Sequence, residues 1–295
     1  MSLLPYMIVL GTGVSWGLSF SLLRIASESG FHPFGLTLWQ VIITAIFLLP
    51  ICLIKGRYRN FSWRSCKYYI VLALVGNAVP SVLYFYSAPH VSVGLLAITI
   101  ALVPMLTYAL AWMVKLEPFA IKRILGILFG FTAVSILVLP ETSLPDPGMA
   151  FWLILVIGSA LCYAIESVYV DAVIPKTDDV IILLAGAQLF SIVFLAPLVF
   201  ITDSFAPISL PLDQATYALI VMSIINICCY MAFLTLIRLS GSVFACQTGY
   251  VVTLAGVFWG IWLFNEQHSG WVWLALAFMM AGVFLVTPRQ TEKHS

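Results

Sequence analysis

Two stretches of the sequence decide the fold: residues 104–139, PMLTYALAWMVKLEPFAIKRILGILFGFTAVSILVL, and residues 250–287, YVVTLAGVFWGIWLFNEQHSGWVWLALAFMMAGVFLVT. Each stretch runs as an apolar segment into a short turn with one acidic residue, Glu117 or Glu266, and then into a second apolar segment. The segments are continuously apolar rather than alternating, so helices are preferred to the strands of a barrel. Each stretch therefore predicts two helices that cross a membrane, joined by a short turn.

The composition of the whole chain points to the same class of protein. Of its 295 residues, 62% are hydrophobic and 8% are charged, whereas soluble domains carry about 25% charged residues. A water-soluble fold of this composition could not cover its own surface, which excludes soluble enzymes and nucleic-acid binders. Thirteen basic and twelve acidic residues give a net charge of +1, so no nucleic acid is expected as a partner. The six cysteines show no metal-ligand spacing, so no metal site is expected.

Mostly apolar windows of about 20 residues, the length needed to cross a bilayer, recur along the chain. We predict ten of them: Leu4 to Leu23, Phe34 to Ile54, Tyr68 to Ser87, Ser92 to Val114, Ile121 to Leu139, Met149 to Val170, Val180 to Ile201, Tyr217 to Ile237, Ser242 to Phe264 and Gly270 to Val286. They leave only short loops and no room for a soluble domain. We therefore expect an all-α membrane protein with ten transmembrane helices.

The basic residues predict how the chain is oriented in the membrane. If the N-terminus is cytoplasmic, twelve of the thirteen Lys and Arg residues lie on the cytoplasmic side and only Arg24 lies outside. Five of the twelve, from Lys55 to Lys67, lie in the loop after the second window. Cytoplasmic loops carry such an excess of Lys and Arg. We therefore expect a multi-pass protein of the bacterial inner (plasma) membrane with both termini in the cytoplasm.

The two halves of the chain resemble each other. Gln40 matches Gln188 at an offset of 148 residues, and Glu117 matches Glu266 at an offset of 149. Each half has five predicted helices, an odd number, so the second half enters the membrane upside down. We therefore predict two inverted five-helix repeats, residues 1–145 and 146–295, the architecture in which a central site is opened alternately to either side.

Particular segments of both halves resemble those of a known family. The first predicted helix contains GVSWGLSF at residues 13–20, and each stretch quoted above places an apolar helix before a short acidic turn and a Gly-containing helix. In these features nearly the whole chain resembles the EamA-type members of the drug/metabolite transporter (DMT) superfamily. The resemblance implies that helices one to four and six to nine surround a central cavity, with the fifth and tenth at the periphery. Glu166 departs from the family pattern, because that segment is usually uncharged.

Polar groups inside apolar helices are the candidate binding groups, because leaving them unsatisfied in lipid is costly. Glu166 is the only acidic residue well inside a predicted span. It is a candidate for proton coupling, since loss of water favours the neutral form of a carboxyl group, but its side chain can also reach towards the inner interface. Gln40 and Gln188 lie in equivalent spans and can bind a solute or bond neighbouring helices instead. Weaker candidates of the same kind are Thr99, Gln247, Asn77 and Asn226.

Aromatic side chains inside the predicted spans are the other candidates for substrate binding. Trp16 and Tyr163 occupy equivalent positions in the first and sixth spans. Trp39 lies in the second span, and Tyr84 and Tyr230 lie in the third and eighth. Most aromatic residues of a membrane protein serve packing or anchor it at the interface. Together with the carboxyl group, these rings can frame an apolar or cationic solute.

We expect a secondary active transporter that moves a small organic metabolite, such as an amino acid or an amine, by alternating access. The resemblance favours an exporter, with an importer as the alternative. No P-loop pattern is present, so a proton or solute gradient would supply the energy. The sequence shows none of the rings of charge that are usual in a channel. An intramembrane enzyme would need a catalytic cluster, which the four histidines do not form. The expected partners are the small-molecule substrate and the lipid bilayer, with no cofactor; a monomer and a homodimer both remain open.

Overall fold

The computed structural model describes residues 4–54, 63–138, 148–175, 177–205, 207–208 and 212–285. Within these ranges the regular structure is helical and no strand is present, which confirms the predicted helical architecture there. We label the helices in chain order: α1 Leu4–Ser27, α2 Pro33–Ile54, α3 Cys66–Ser87, α4 Val93–Met113, α5 Ile121–Val138, α6 Met149–Ala172, α7 Val180–Ile201, α8 Gln214–Ser240, α9 Ser242–Phe264 and α10 Gly270–Leu285. Among the described residues, eight helices, all of these except α5 and α10, are long and apolar enough to cross a membrane.

Some residues behind the sequence predictions lie outside the described ranges. Residues 145 and 146, between which the repeat boundary is predicted, are among them. Lys55, Arg57 and Lys176, three of the basic residues on which the orientation was predicted, also lie outside. The repeat boundary and the orientation therefore stay predictions.

Two of the helices contain a break next to a proline. In α3, Leu72–Ala78 is a π-helical segment, and the following Pro80 has no N–H for the carbonyl group four residues before it. The helix α4 is divided at Ala101, where the ring of Pro104 crowds the carbonyl group of the preceding turn. By contrast, α7 stays helical through Pro197. The π-helical segment is of interest because such segments occur frequently at functional sites.

The helices of the two halves pack across each other. The helix α1 lies along α8 and α9, and α6 lies in the corresponding way along α3 and α4. The helix α2 contacts α7 and α8, while α7 contacts α2 and α3, and α4 contacts α9. The helices α5 and α10 pack mainly against each other, with the rings of Phe129 and Phe278 5.5 Å apart. Helices α1–α4 and α6–α9 thus form one body, to which the α5–α10 pair is attached through α4.

Small residues allow the closest of these helix contacts. A Cβ atom added at Gly17 of α1 would lie 2.7 Å from the Cβ atom of Ala255 in α9. One added at Gly256 would collide with the side chain of Ala97 in α4. Small residues serve membrane helices in this way because backbones can then approach closely. The stacking of α1, α9 and α4 therefore depends on the missing side chains of two glycines.

Candidate functional site

A cavity of about 170 Å³ lies between α1–α4 and α6–α9. Each of these eight helices contributes at least one residue to its wall. The described residues that line it are Trp16, Ser19, Phe20, Leu23, Gln40, Thr44, Leu48, Gly76, Asn77, Ser81, Tyr84, Ile100, Val103, Tyr163, Glu166, Leu184, Gln188, Met222, Asn226, Ile227, Tyr230, Phe233, Cys246, Thr248, Gly249 and Val252. The wall is thus built from both halves of the chain.

Most of the predicted site residues meet at this cavity. Seven of the ten line it: Trp16, Gln40, Tyr84, Tyr163, Glu166, Gln188 and Tyr230. They come from α1, α2, α3, α6, α7 and α8, so residues far apart in the sequence are brought together. Their part in binding a substrate stays a prediction.

The structure places the other three predicted residues outside the cavity wall. The ring of Trp39 lies 5.9 Å from that of Phe205. Thr99 is buried, and its hydroxyl group donates a hydrogen bond of 2.7 Å to the carbonyl oxygen of Leu96. Gln247 lies in the turn between the two helical segments of α9. These three residues are not among the described residues of the wall, and their part in binding a substrate stays a prediction.

Glu166 is the one charged residue among the described residues of the wall. The residue is 1% exposed, and its Oε1 atom has no hydrogen-bond partner. A Cβ atom added at Gly76 of α3 would collide with this oxygen and would lie 2.5 Å from the hydroxyl oxygen of Tyr230. Gly76 lies within the π-helical segment of α3. The missing side chain at Gly76 thus leaves room for both the carboxyl and the phenol group against α3.

Two N–H donors of the cavity wall are engaged in hydrogen bonds between helices. The indole Nε1 of Trp16 donates to Oδ1 of Asn226 at 2.9 Å. The amide Nδ2 of Asn77 donates to Oε1 of Gln188 at 2.7 Å and to the hydroxyl oxygen of Ser191 at 3.2 Å. The first bond joins α1 to α8, and the others join α3 to α7. Oε1 of Gln188 thus takes part in a bond between helices, and a role of this residue in substrate binding stays a prediction.

Five buried oxygen atoms on the wall have no hydrogen-bond partner: Gln40 Oε1, Tyr84 Oη, Glu166 Oε1, Tyr230 Oη and Thr248 Oγ1. Buried polar atoms in proteins are nearly always hydrogen-bonded. Five exceptions around one cavity indicate a place where a polar ligand or water completes the bonds.

Aromatic rings form two groups along the wall. In the first, the ring of Tyr84 lies 5.4 Å from that of Phe20 and stacks on that of Tyr163 at 6.4 Å. In the second, the ring of Trp16 lies 6.3 Å from that of Tyr230. Faces of such rings attract apolar groups and cations. The wall can therefore hold an apolar body next to a polar or charged group.

Beyond the cavity, at the end of α1, charged groups tie three helices together. We call Arg24, Glu266 and His268 the Arg24 cluster. Oε1 of Glu266 accepts from Nη1 of Arg24 at 2.9 Å and from the backbone N–H of Val93 at 2.7 Å. Its Oε2 accepts from the backbone N–H of Gly94 at 3.0 Å and lies 3.5 Å from Nε2 of His268. Glu266 thus caps the start of α4 and ties it to α1 and to the turn after α9.

The opposite end of α9 is held by a different set of groups. Asp171, near the end of α6, accepts from the backbone N–H and the hydroxyl group of Ser242, both at 3.0 Å. Glu117, the sequence counterpart of Glu266, pairs instead with Arg123 at 2.8 Å. The guanidinium group of Arg123 lies 5.0 Å from the ring centre of Tyr108. Glu117 therefore stabilises its own turn between α4 and α5.

The sequence analysis missed Gly76 and Thr248. Gly76 has no side chain, so its close approach to Glu166 leaves no chemical signal in the sequence. Thr248 follows the break in α9, and this break turns its hydroxyl group, rather than the neighbouring Gln247, towards the cavity. Asn77 and Asn226, which were rated as weak candidates, do line the wall.

Comparisons with known proteins give three findings. The model of the EamA-like transporter family matches residues 3–139 and again residues 150–287. A WAT1-related protein of Arabidopsis thaliana is 24% identical over 115 residues, which cover 36% of this chain and 32% of that protein, so the chain matches about a third of that relative's length. A solved crystal structure has the same fold with a TM-score of 0.64 at 18% identity, over 95% of this chain and 96% of that one. The likeness to the solved structure concerns the fold alone.

Proposed function

Since this chain belongs to the EamA-like transporter family, and is therefore an integral membrane transporter of the DMT superfamily, we propose that it is a secondary active transporter of a small organic metabolite. The cavity between the two halves is its substrate site. The observation that carries this assignment is the set of five unpartnered buried oxygen atoms around the cavity. Such atoms are costly to bury unless a ligand or water satisfies them.

We further propose that α1–α10 all cross the membrane, as two inverted repeats within residues 1–145 and 146–295. Two observations support this arrangement: the family model matches the chain twice, and the contacts of α1 with α8 and α9 have counterparts in those of α6 with α3 and α4. The excess of basic residues on one side supports cytoplasmic termini in a bacterial inner membrane. Rocking of the two halves around the cavity then exposes the site to either side in turn.

The transport proposal is tested by counterflow in sealed vesicles that contain the purified protein. Vesicles are loaded with unlabelled L-phenylalanine or 2-phenylethylamine, and the transient accumulation of the same labelled compound is followed. A carrier accumulates label against its gradient because it exchanges solute, whereas a channel only equilibrates it. Accumulation of either compound supports the proposal. Simple equilibration of label, as through a channel, contradicts it.

Gln40 provides the test that the cavity is the site of exchange. Gln40→Ala should lower the exchange rate about fivefold at subsaturating solute, because one hydrogen bond to a buried ligand is worth about 1 kcal/mol. Gln214→Ala is the matched control, since this exposed amide begins α8 away from the cavity. Equal exchange by both variants and the wild-type protein would remove the cavity from the account.

We also propose that Glu166 couples transport to protons and that transport runs outwards as export. The carboxyl group is neutral in an apolar site and ionised next to water or a cation, so it can release and take up a proton during each cycle. In Glu166→Gln, net transport should lose its dependence on a pH gradient, while exchange at saturating solute stays measurable. Glu166→Asp, which keeps the carboxyl group, should retain the dependence. A normal pH response of Glu166→Gln would contradict the coupling role.

A further inference from the structure

The charges around the cavity are unbalanced. Glu166 is acidic, and the described residues of the wall include no Lys, Arg or His. Arg24 follows the wall residue Leu23 in the chain, but its guanidinium group is engaged with Glu28 and Glu266, each at 2.9 Å. The wall therefore offers no positive group to an ionised Glu166. It also offers none to a carboxylate on a ligand, and burying an unpaired charge is costly.

The hydrogen-bonding groups of the wall include free acceptors for an ammonium group. Oxygen acceptors on Gln40, Glu166 and Thr248 are open, whereas the N–H donors of Trp16 and Asn77 are engaged with other side chains. An ammonium group has donors and no acceptor, while a carboxylate has acceptors only. An ammonium group therefore finds free acceptors on this wall, and one of them, Glu166, can carry the opposite charge. A carboxylate finds hydroxyl donors such as that of Thr248, but no cation among the described residues of the wall.

The rest of the wall suits an apolar body attached to that ammonium group. Tyr84 and Tyr163 stack on each other, and Trp16 lies against Tyr230, whose hydroxyl group, like the carboxyl group of Glu166, lies beside Gly76. Ring faces attract cations and pack against other rings. An aromatic group can thus lie along the rings while its amine reaches the carboxyl group.

From this complementarity we propose that the cavity selects an organic amine with an aromatic or similarly apolar body and no carboxylate, with Glu166 as the counter-ion of its ammonium group. The inference rests on the proposed transport function and narrows its substrate class. Amino acids are disfavoured because their carboxylate enters a cavity that has no cation for it.

Three compounds that share a phenyl ring and a two-carbon chain test this selectivity. They are 2-phenylethylamine, L-phenylalanine, which adds a carboxylate, and 3-phenylpropionate, which has a carboxylate in place of the amine. Their affinities for the full-length protein in detergent are measured at pH 7.5 by titration calorimetry. The amine should bind at least about tenfold more tightly than phenylalanine, a difference of about 1.4 kcal/mol, and phenylpropionate should not bind. Equal or tighter binding of phenylalanine, or no binding of the amine, would overturn the proposal.

Variants of Glu166 test the assigned counter-ion. Glu166→Gln keeps the size of the side chain and should weaken binding of 2-phenylethylamine by about tenfold or more, while Glu166→Asp should lose less. Glu28→Gln is the matched control, because this carboxylate is exposed and outside the cavity wall. Unchanged amine affinity in Glu166→Gln would overturn the assignment. If Glu166→Gln does not fold, the three compounds on the wild-type protein still decide the proposal.

The vesicle assay separates this inference from the transport function. Exchange of phenylalanine without binding of the amine would leave a transporter and remove the amine selectivity. Tight amine binding without exchange of any of the three compounds would keep the selectivity and contradict transport of this class.

Discussion

Glu117 and Glu266 occupy equivalent places in the two halves of the sequence, yet they hold different parts of the molecule. Glu266 contacts Arg24 of α1 and the first N–H groups of α4, whereas Glu117 contacts Arg123, six residues further along the chain. Burial does not distinguish them, since both side chains are 7% exposed. The difference shows that equivalent positions in a repeat do not secure equivalent tertiary contacts.

Because of this difference, the two ends of the helix bundle are held together by different numbers of contacts. Separation of the helices at the Arg24 cluster breaks an ion pair and two bonds to the start of α4. At the opposite end, Asp171 makes two hydrogen bonds to Ser242, while Glu117 stays within its own turn. We therefore expect the Arg24 end to be the more firmly closed of the two.

The largest effect is expected for Glu266→Ala. This change leaves the N–H groups of Val93 and Gly94 and the Nη1 group of Arg24 without their acceptor, while Nε of Arg24 keeps its bond to Glu28. A cysteine placed at Leu23, on the cavity wall beside the cluster, should then react about tenfold faster with a charged thiol reagent. This corresponds to a free energy of opening that is lower by about 1.4 kcal/mol. Rates are compared with the parent protein without the added cysteine. Glu117→Ala should leave the rate unchanged, and an equal increase in that variant would break the comparison.

A smaller effect is expected for Arg24→Gln. The two bonds from Glu266 to the start of α4 remain, and a partly exposed ion pair contributes up to about 1 kcal/mol. The reaction of the same cysteine should therefore speed up about threefold, less than in Glu266→Ala. High salt should raise the rate of the wild-type protein more than that of Arg24→Gln, because salt screens the pair. A larger effect of Arg24→Gln than of Glu266→Ala would mean that the ion pair outweighs the bonds to α4.

The smallest effect concerns pH. Burial lowers the pKa of His268, although the neighbouring Glu266 acts in the opposite direction. In the unfolded chain this imidazole takes up a proton near pH 6.5, so below that pH the unfolded state binds more protons and the folded protein loses stability. Between pH 7.5 and 5.5 the wild-type protein should therefore lose some stability that His268→Gln keeps. Melting curves in detergent measure this loss, and a greater loss in His268→Gln would contradict the assigned direction.

The helical architecture could be predicted because membrane spans are encoded by the length of apolar segments. The predicted window Tyr68 to Ser87 differs from the helix Cys66–Ser87 only at its start. Which side of a helix faces the cavity was harder to predict, since adjacent residues are about 100° apart and these helices are apolar all round. Gln40 therefore lines the wall while the adjacent Trp39 does not.

Features that depend on breaks and on tertiary contacts could not be derived from the pattern. The break in α9 brings Thr248 rather than Gln247 to the wall, and no proline marks it. The carboxyl group of Glu166 was predicted inside a span, but its approach to Gly76 depends on how α3 and α6 pack. The different partners of Glu117 and Glu266 have the same origin.

The central claim is that the cavity between the two halves is the substrate site. A crystal soaked with 2-(4-bromophenyl)ethylamine, the ring-brominated form of 2-phenylethylamine, tests it most directly. Anomalous scattering locates the bromine atom independently of the protein atoms. We predict a bromine peak among the rings of Trp16, Tyr84, Tyr163 and Tyr230, with the density of the amine next to Oε1 of Glu166. A peak elsewhere on the protein, or a cavity without the compound at a concentration that saturates binding in solution, would contradict the account.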